Sequence, residues 1–324
     1  MQTTPQLRPM SIGDVLDAAF RLYRQHFLVF LGISALLQVP MAVLQSVAQY
    51  VLAGQAFRDI MAFAERPPIP RPGQSPLEVL PVQQYLVLAG VTAGISLLYY
   101  LVVYNLTTAA LANAVAQARQ GRPVSILGAY ALSPRTYLAL IAASTVPVVG
   151  SVLIFGVTMG CAIGAAGVVG SRLEGGGIAA VIVGTLLALG LVMLLLLLLV
   201  FIFVRLALTT QVIVLERAGP LRGIGRSWRL TGPGFWRVLL AVVLMGIISY
   251  AVSSLPATVV STAVTIASGS PLNNFGLNQG LTSLVAYAGL ILALPLQLAV
   301  YTVLYDDLRV RSEGYDLELR ANQI

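Results

Sequence analysis

The stretch IAAVIVGTLLALGLVMLLLLLLVFIFV, Ile178 to Val204, lies between Glu174 and Arg205 and contains no charged side chain. Crossing the hydrocarbon core of a bilayer takes roughly 20 apolar residues in helical form, because a backbone in lipid must satisfy its own hydrogen bonds. This segment is long enough to do so and too apolar to face water. Its reading fixes the class of the whole chain, because the rest has the same character. Of 324 residues, 58% are hydrophobic and 10% charged, and the mean hydropathy is +0.88. Soluble domains carry about one quarter charged residues, so a water-soluble globule is excluded. A single cysteine excludes a disulfide scaffold, and there is no polar low-complexity tract to suggest disorder.

Cutting the remaining charge-free stretches at Gly, Pro and polar clusters yields five more spans. They run about Phe27 to Leu52, Tyr85 to Ala112, Tyr137 to Ile163, Val238 to Val260 and Leu281 to Tyr301. The last two share one uncharged run, from Val238 to Tyr305, divided at the neutral loop that begins at Ser268. The expectation is an all-α membrane protein forming one domain. An amphipathic arm occupies 1–26, a six-helix bundle 27–304 and a tail 305–324.

Orientation follows from charge. Every one of the 19 basic residues is arginine, against 12 acidic residues. The arm carries Arg8, Arg21 and Arg24, the second-to-third connection Arg119, Arg122 and Arg135, and the tail Arg309, Arg311 and Arg320. The fourth-to-fifth connection carries Arg205, Arg217, Arg222, Arg226, Arg229 and Arg237, whereas the opposite side holds only Arg58, Arg66, Arg71 and Arg172. The positive-inside rule then places both termini in the cytoplasm of a bacterial inner membrane. The excess of guanidinium points to anionic lipid as partner and not to nucleic acid. A partner membrane protein is a further expectation. The outer connection from Ala53 to Gln84 is rich in proline and is expected to be partly extended.

Three segments leading into the odd-numbered spans share one spacing of aliphatic, aromatic, Leu and aromatic residues. They are Leu16/Phe20/Leu22/Phe27, Ile126/Tyr130/Leu132/Tyr137 and Ile224/Trp228/Leu230/Phe235. The pattern suggests three internal units, each opened by an interfacial helix. In the first, Ser11 and Asp14 have capping-box spacing. In the third, Trp228 and Trp236 stand beside Arg222, Arg226 and Arg229 as candidate lipid or partner contacts, with Arg21, Arg24 and Arg205 added from neighbouring segments. Gly156, Gly160 and Gly164 recur at every fourth position, a pattern that lets helices approach closely; a contact within the chain is expected of them. Pro40, Pro147, Pro256 and Pro295 are expected to kink or end helices.

The inventory for catalysis is thin. One histidine, His26, and one cysteine, Cys161, lie far apart in the chain and build no metal site, so no cofactor is expected. There is no G-x-S-x-G elbow and no phosphate-binding glycine loop with its lysine. The acidic pairs Asp14/Asp17 and Asp306/Asp307 lie outside the spans beside arginines, where salt bridging is the plain reading. No acid lies within a span, which counts against ion-coupled transport. What remains is neutral and polar. Tyr100, Tyr104 and Asn105 of the second span, and Gln297 and Tyr301 of the sixth, follow helical spacing and should meet near the inner leaflet. They serve either as hydrogen-bonded glue or as the wall of a crevice for a lipid headgroup.

Leu7 to Phe27 (LRPMSIGDVLDAAFRLYRQHF), Glu216 to Leu239 (ERAGPLRGIGRSWRLTGPGFWRVL) and Tyr305 to Glu318 (YDDLRVRSEGYDLE) together resemble the bacterial glycerophosphoryl diester phosphodiesterase membrane-domain family. The resemblance implies the membrane part alone, because the histidines and acidic cluster of the phosphodiesterase barrel found in some members have no counterpart here. The function expected from the sequence is a non-enzymatic scaffold, accessory subunit or lipid-organising module. A carrier for a lipid or another amphipathic molecule is the alternative, and a headgroup-processing enzyme the weaker third.

Overall fold

The computed structural model describes residues 10–65, 82–173, 178–270 and 274–313, and these are helical almost throughout. Helix α1 (Ile12–Gln25) opens the chain. Ser11 caps it as its spacing predicts: the Asp14 N–H donates to Ser11 Oγ (3.1 Å) and the Ser11 N–H to Asp14 Oδ2 (2.8 Å). Val15 and Ala19 form its buried stripe, and the Tyr23 hydroxyl donates to the Leu292 carbonyl (3.0 Å). The amphipathic arm therefore lies against the last long helix.

Helix α2 (Phe27–Ala48) passes through a π-helical turn (Gln49–Ala53) into α3 (Gly54–Glu65). The expectation of an extended connection from Ala53 is thus corrected as far as Glu65, because the helix continues; the prolines from Pro67 to Pro81 lie outside the described residues. Helix α4 (Val82–Leu98) passes through a second π-helical turn (Tyr99–Tyr104) into α5 (Asn105–Arg119). A single turn, α6 (Ile126–Ala129), precedes α7 (Pro134–Leu173). Helix α8 (Ile178–Leu206) is followed after a two-residue break by α9 (Thr209–Glu216), which ends at Arg217 in the left-handed region (φ 52°). Helix α10 (Pro220–Thr231) starts with proline at its first position, where a missing N–H costs nothing. Helices α11 (Phe235–Ser268) and α12 (Phe275–Glu313) complete the chain.

Among the described residues, six helical stretches are long and apolar enough to cross a membrane, in the order read from the sequence. Each runs beyond the span assigned to it. The three patterned segments fall on α1, α6 and α10, each leading into an odd-numbered span, but the second is reduced to one turn.

Helix α12 is the central post, packed against α11, α2, α1 and α5. Tyr305, Leu304, Leu111, Phe30 and Met245 are among the largest side chains buried around it. Helices α7 and α8 pack on each other as a hairpin, and Leu186, Leu187, Leu189, Leu194 and Leu197 are exposed along α8. An apolar surface of this extent suits lipid and not water.

Close helix contact is made elsewhere than expected. Gly156, Gly160 and Gly164 are exposed, and among the described residues a Cβ at any of them meets nothing within 4 Å. The close approaches belong to α12. A Cβ at Gly276 would sit 2.4 Å from the Tyr50 carbonyl oxygen, one at Gly280 3.0 Å from Tyr50 Cβ, and one at Gly289 2.4 Å from Ser253 Cα. Gly289 also lies against the Val252 carbonyl, the group that Pro256 deprives of its helical N–H donor. The four prolines named above all lie inside helices and end none of them.

Candidate functional site

Two features at the arginine-rich end and below it gather polar chemistry. The first is a knot of ion pairs. Asp307, whose side chain is 0% exposed, accepts the Met10 N–H (2.7 Å) and the Arg311 Nε–H (3.1 Å to Oδ2). Arg237 Nε lies 3.3 Å from Asp307 Oδ2, an ion-pair contact without a hydrogen bond, while Arg237 and Arg311 both donate to the Met10 carbonyl. Next to it, Glu216 accepts from Arg226 Nε (2.5 Å) and from the Tyr305 hydroxyl. Arg119 pairs with Asp306. The three stretches that carried the family resemblance, far apart in sequence, are thereby tied together through Met10, Glu216, Arg237, Tyr305 and Asp307. What they share is a structural clasp. Buried carboxylates of this kind hold only when paired, which accounts for arginine and acid in the second and third stretches; the first contributes the backbone of Met10.

This clasp changes the reading of the arginines. Arg226 is committed to Glu216 and is not part of an open contact face. Arg205 is also committed. Its guanidinium stands 5.1 Å from the ring centres of Phe201 and Trp228 and 5.8 Å from that of Phe235, and it donates to the Trp228 carbonyl (3.2 Å). Its own carbonyl accepts from Ser227 Oγ (2.8 Å), so Arg205 pins α10 to the end of α8. Arg21, Arg24, Arg222 and Arg229 are exposed, as are Trp228 and, at 78%, Trp236. On the second patterned segment, the Tyr130 hydroxyl donates to the Ile33 carbonyl (2.7 Å), and burial pushes its pKa up to about 12 although a hydrogen bond with Thr107 pulls the other way.

The second feature is a cavity of about 290 Å³ between the α7–α8 hairpin and the helices around α12. Tyr100, Tyr104, Asn105, Gln297 and Tyr301, the polar strip named from the sequence, all line it. The π-helical turn at Tyr99–Tyr104 gives that stretch a wider screw than an α-helix, and the rings of Tyr100 and Tyr104 stack at 5.3 Å. Asn105 is held in place, its amide donating to Ser144 Oγ (2.8 Å) and to the carbonyls of Leu101 (3.0 Å) and Tyr100 (3.1 Å). Gln297 Nε2 donates to the Tyr301 hydroxyl (3.1 Å). Exposed Phe203 and Gly246 stand at the edge of the cavity, which gives it a mouth on the lateral, lipid-facing side.

Sequence reasoning missed three contributors. Ser144 of α7 lines the cavity, and so do Thr210 and Thr209 at the start of α9, the latter 9% exposed with its Oγ1 unpartnered. The polar run Thr209-Thr210-Gln211 directly after Arg205 was the available signal. His26 Nδ1 sits 3.3 Å from the Leu22 carbonyl with its ring stacked on Phe30, and Cys161 is half-buried. Among the described residues no three His, Cys, Asp or Glu side chains gather in a way that could hold a metal ion.

A family model described as Domain of unknown function (DUF7847) matches residues 10–308, from the residue whose amide meets Asp307 to the one that follows Asp307. The chain belongs to the DUF7847 family. Neither the curated proteins nor the solved structures compared with this DUF7847 chain include a match to it.

Proposed function

We propose that this protein is a non-enzymatic lipid-binding protein of a bacterial inner membrane, which takes the polar end of an amphipathic molecule from the bilayer into the cavity beside α7 and α8. The reading rests on one observation. Neutral polar side chains from separate helices converge on one space whose edge is open at Phe203 and Gly246. The cavity lies at the small end of the 300–1,000 Å³ range typical of ligand sites, which fits a headgroup whose chains stay in the bilayer. The gathering of arginines at one end supports, by the positive-inside rule, a reading in which that end faces the cytoplasm.

The test is lipid analysis of the protein extracted in native nanodiscs. Enrichment of one lipid class at near-stoichiometric amount, lost in Gly246→Leu at the cavity mouth, supports the reading. A composition equal to the bulk membrane in both proteins overturns it.

A second reading has its own observation. Helix α10 presents Leu221 (82% exposed), Arg222, Trp228 and Arg229 outward, with Trp236 beside it, a face suited to anionic headgroups or a partner protein. The structure confines its test to Arg222→Gln with Arg229→Gln, because Arg226 serves the clasp. Unchanged sedimentation with anionic vesicles and unchanged partner recovery would refute it.

A further inference from the structure

The lining of the cavity restricts the charge of what enters. No side chain on its wall is ionisable at neutral pH, and the charged groups nearest in sequence are engaged elsewhere. Arg205 precedes the lining residue Leu206, yet its guanidinium is held among Phe201, Trp228 and Phe235 and donates to the Trp228 carbonyl. Glu216, at the far end of α9, is bound by Arg226 and Tyr305. An anionic phosphate drawn into this space would leave water without meeting a cation, and an uncompensated charge in an apolar surround is strongly disfavoured.

The wall does offer neutral hydrogen bonds of both kinds. Thr209 Oγ1 has no partner in the protein and is nine-tenths buried, so it is open to donate or accept. Gln297 spends its amide N–H on Tyr301, which leaves the Tyr301 hydroxyl proton to donate and the Gln297 carbonyl to accept. Asn105 is fixed by its two amide hydrogens, one on Ser144 Oγ and one shared between the carbonyls of Tyr100 and Leu101, with its side-chain oxygen as a further acceptor. These groups suit a ligand that carries hydroxyl and carbonyl oxygens together. Apolar Leu140, Val242 and Phe203 complete the wall toward the mouth, where the hydrocarbon chains of such a ligand would leave.

We propose that the cavity is a headgroup site for an uncharged lipid bearing free hydroxyl and ester carbonyl oxygens, of the diacylglycerol class, and that it discriminates against anionic phospholipids. The proposal deepens the lipid-binding reading above and rests on it. Access is through the gap between Phe203 of α8 and Gly246 of α11, and the hydroxyl end reaches Thr209 and Tyr301.

The experiment uses the full chain in nanodiscs of zwitterionic lipid doped with a photoactivatable diacylglycerol, with peptide mapping of the adduct. Unlabelled dioleoylglycerol, dioleoyl phosphatidate and dioleoyl phosphatidylglycerol then compete; the first two differ only by the phosphate. The expected result is adduct on the α7 and α11 peptides that border the cavity. Dioleoylglycerol should displace it at least tenfold more effectively than either anion. Thr209→Val, which keeps the shape of the side chain and removes its hydroxyl, should weaken that displacement by about three- to tenfold, the worth of one hydrogen bond. Gly246→Leu should abolish the adduct, and since a Cβ there meets nothing within 4 Å it is compatible with folding.

Equal or better competition by phosphatidate or phosphatidylglycerol overturns the uncharged-headgroup assignment and leaves the lipid-binding reading standing. A Thr209→Val protein indistinguishable from wild type overturns the role of that hydroxyl and with it the assigned pose. Adduct scattered over the outer surface and indifferent to Gly246→Leu overturns the groove itself.

Discussion

Replacing Asp307 by Asn tests whether the clasp holds the N-terminal segment against α12. Asp307 receives the Met10 amide at 2.7 Å and Arg311 at 3.1 Å, with Arg237 at 3.3 Å. Asparagine offers one acceptor oxygen in place of two and turns an NH2 toward two guanidinium groups. Removing one partner of a buried ion pair costs about 3–5 kcal/mol. The lower end applies here, about 3 kcal/mol, because Arg237 and Arg311 are 19% and 39% exposed, can rehydrate, and keep the Met10 carbonyl as acceptor. The neighbouring pair supplies the contrast. Asp306 and Arg119 are each 23% exposed, so Asp306→Asn should cost only about 1 kcal/mol. Hydrogen exchange read at single amides reports the loss directly. A local loss of about 3 kcal/mol accelerates exchange at Met10 roughly a hundredfold. Ser11, whose amide donates to Asp14 Oδ2 at 2.8 Å, should change far less. Unaltered Met10 exchange in Asp307→Asn, or equal acceleration in Asp306→Asn, would refute the assignment of Asp307 as the centre of the clasp.

Four further outcomes are expected. Gly289→Ala should destabilise by about 1–3 kcal/mol in denaturant titration, since its Cβ would fall 2.4 Å from backbone atoms of α11, whereas Gly156→Ala should be neutral or slightly stabilising. Arg205→Gln should loosen α10 and raise the solvent accessibility of Trp228, measured by iodide quenching of its fluorescence in a Trp236→Phe background; unchanged quenching would count against the aromatic cage. Gln38 is fully buried, with its Oε1 unpartnered and one 3.4 Å bond to Ser34, so Gln38→Leu should leave thermal stability equal or higher. Tyr130 has a pKa raised to about 12 from its usual 10, so its buried neutral form favours folding below pH 10. That contribution is lost as pH rises from about 10 through 12, and the loss should vanish in Tyr130→Phe.

The fold was legible because lipid imposes one rule along the whole chain: charge-free runs of sufficient length must be helices. Six of them, and the cap at Ser11, follow from composition and spacing alone. Helix packing was not legible in the same way. Gly156, Gly160 and Gly164 and the pair Gly276 and Gly280 have the same spacing, and among the described residues only the second set meets another helix. Spacing states that close approach is allowed; which face meets a neighbour depends on where α12 stands in the bundle. The π-helical turns were also hidden, since Gln49–Ala53 and Tyr99–Tyr104 contain no proline to mark a change of screw. The polar strip was legible as a set because hydrophilic side chains within an apolar span are rare enough to stand out. The clasp was half legible: the acidic and basic residues were visible, but their pairing across nearly the full length of the chain was not.

The arrangement of clasp and cavity links stability to access. Ion pairs and hydrogen bonds fasten the segment before α1, α11 and α12 to one another through Asp307, and α9, α10 and α12 through Glu216. The hairpin is tied differently: α7 through the bond from Asn105 to Ser144 Oγ, and α8 through the Arg205 cage, while leucines along α8 face outward. The wall of the cavity therefore joins a side fixed on α12, carrying Gln297 and Tyr301, to α8, whose exposed Phe203 stands at the mouth. A change of the Phe203 rotamer widens the mouth without disturbing the acceptors on α12. Gly246→Trp, which fills that edge where a Cβ meets nothing within 4 Å, should block lipid exchange while leaving the clasp amide at Met10 as protected as before. Exchange continuing at the wild-type rate in this variant would show that lipid enters elsewhere.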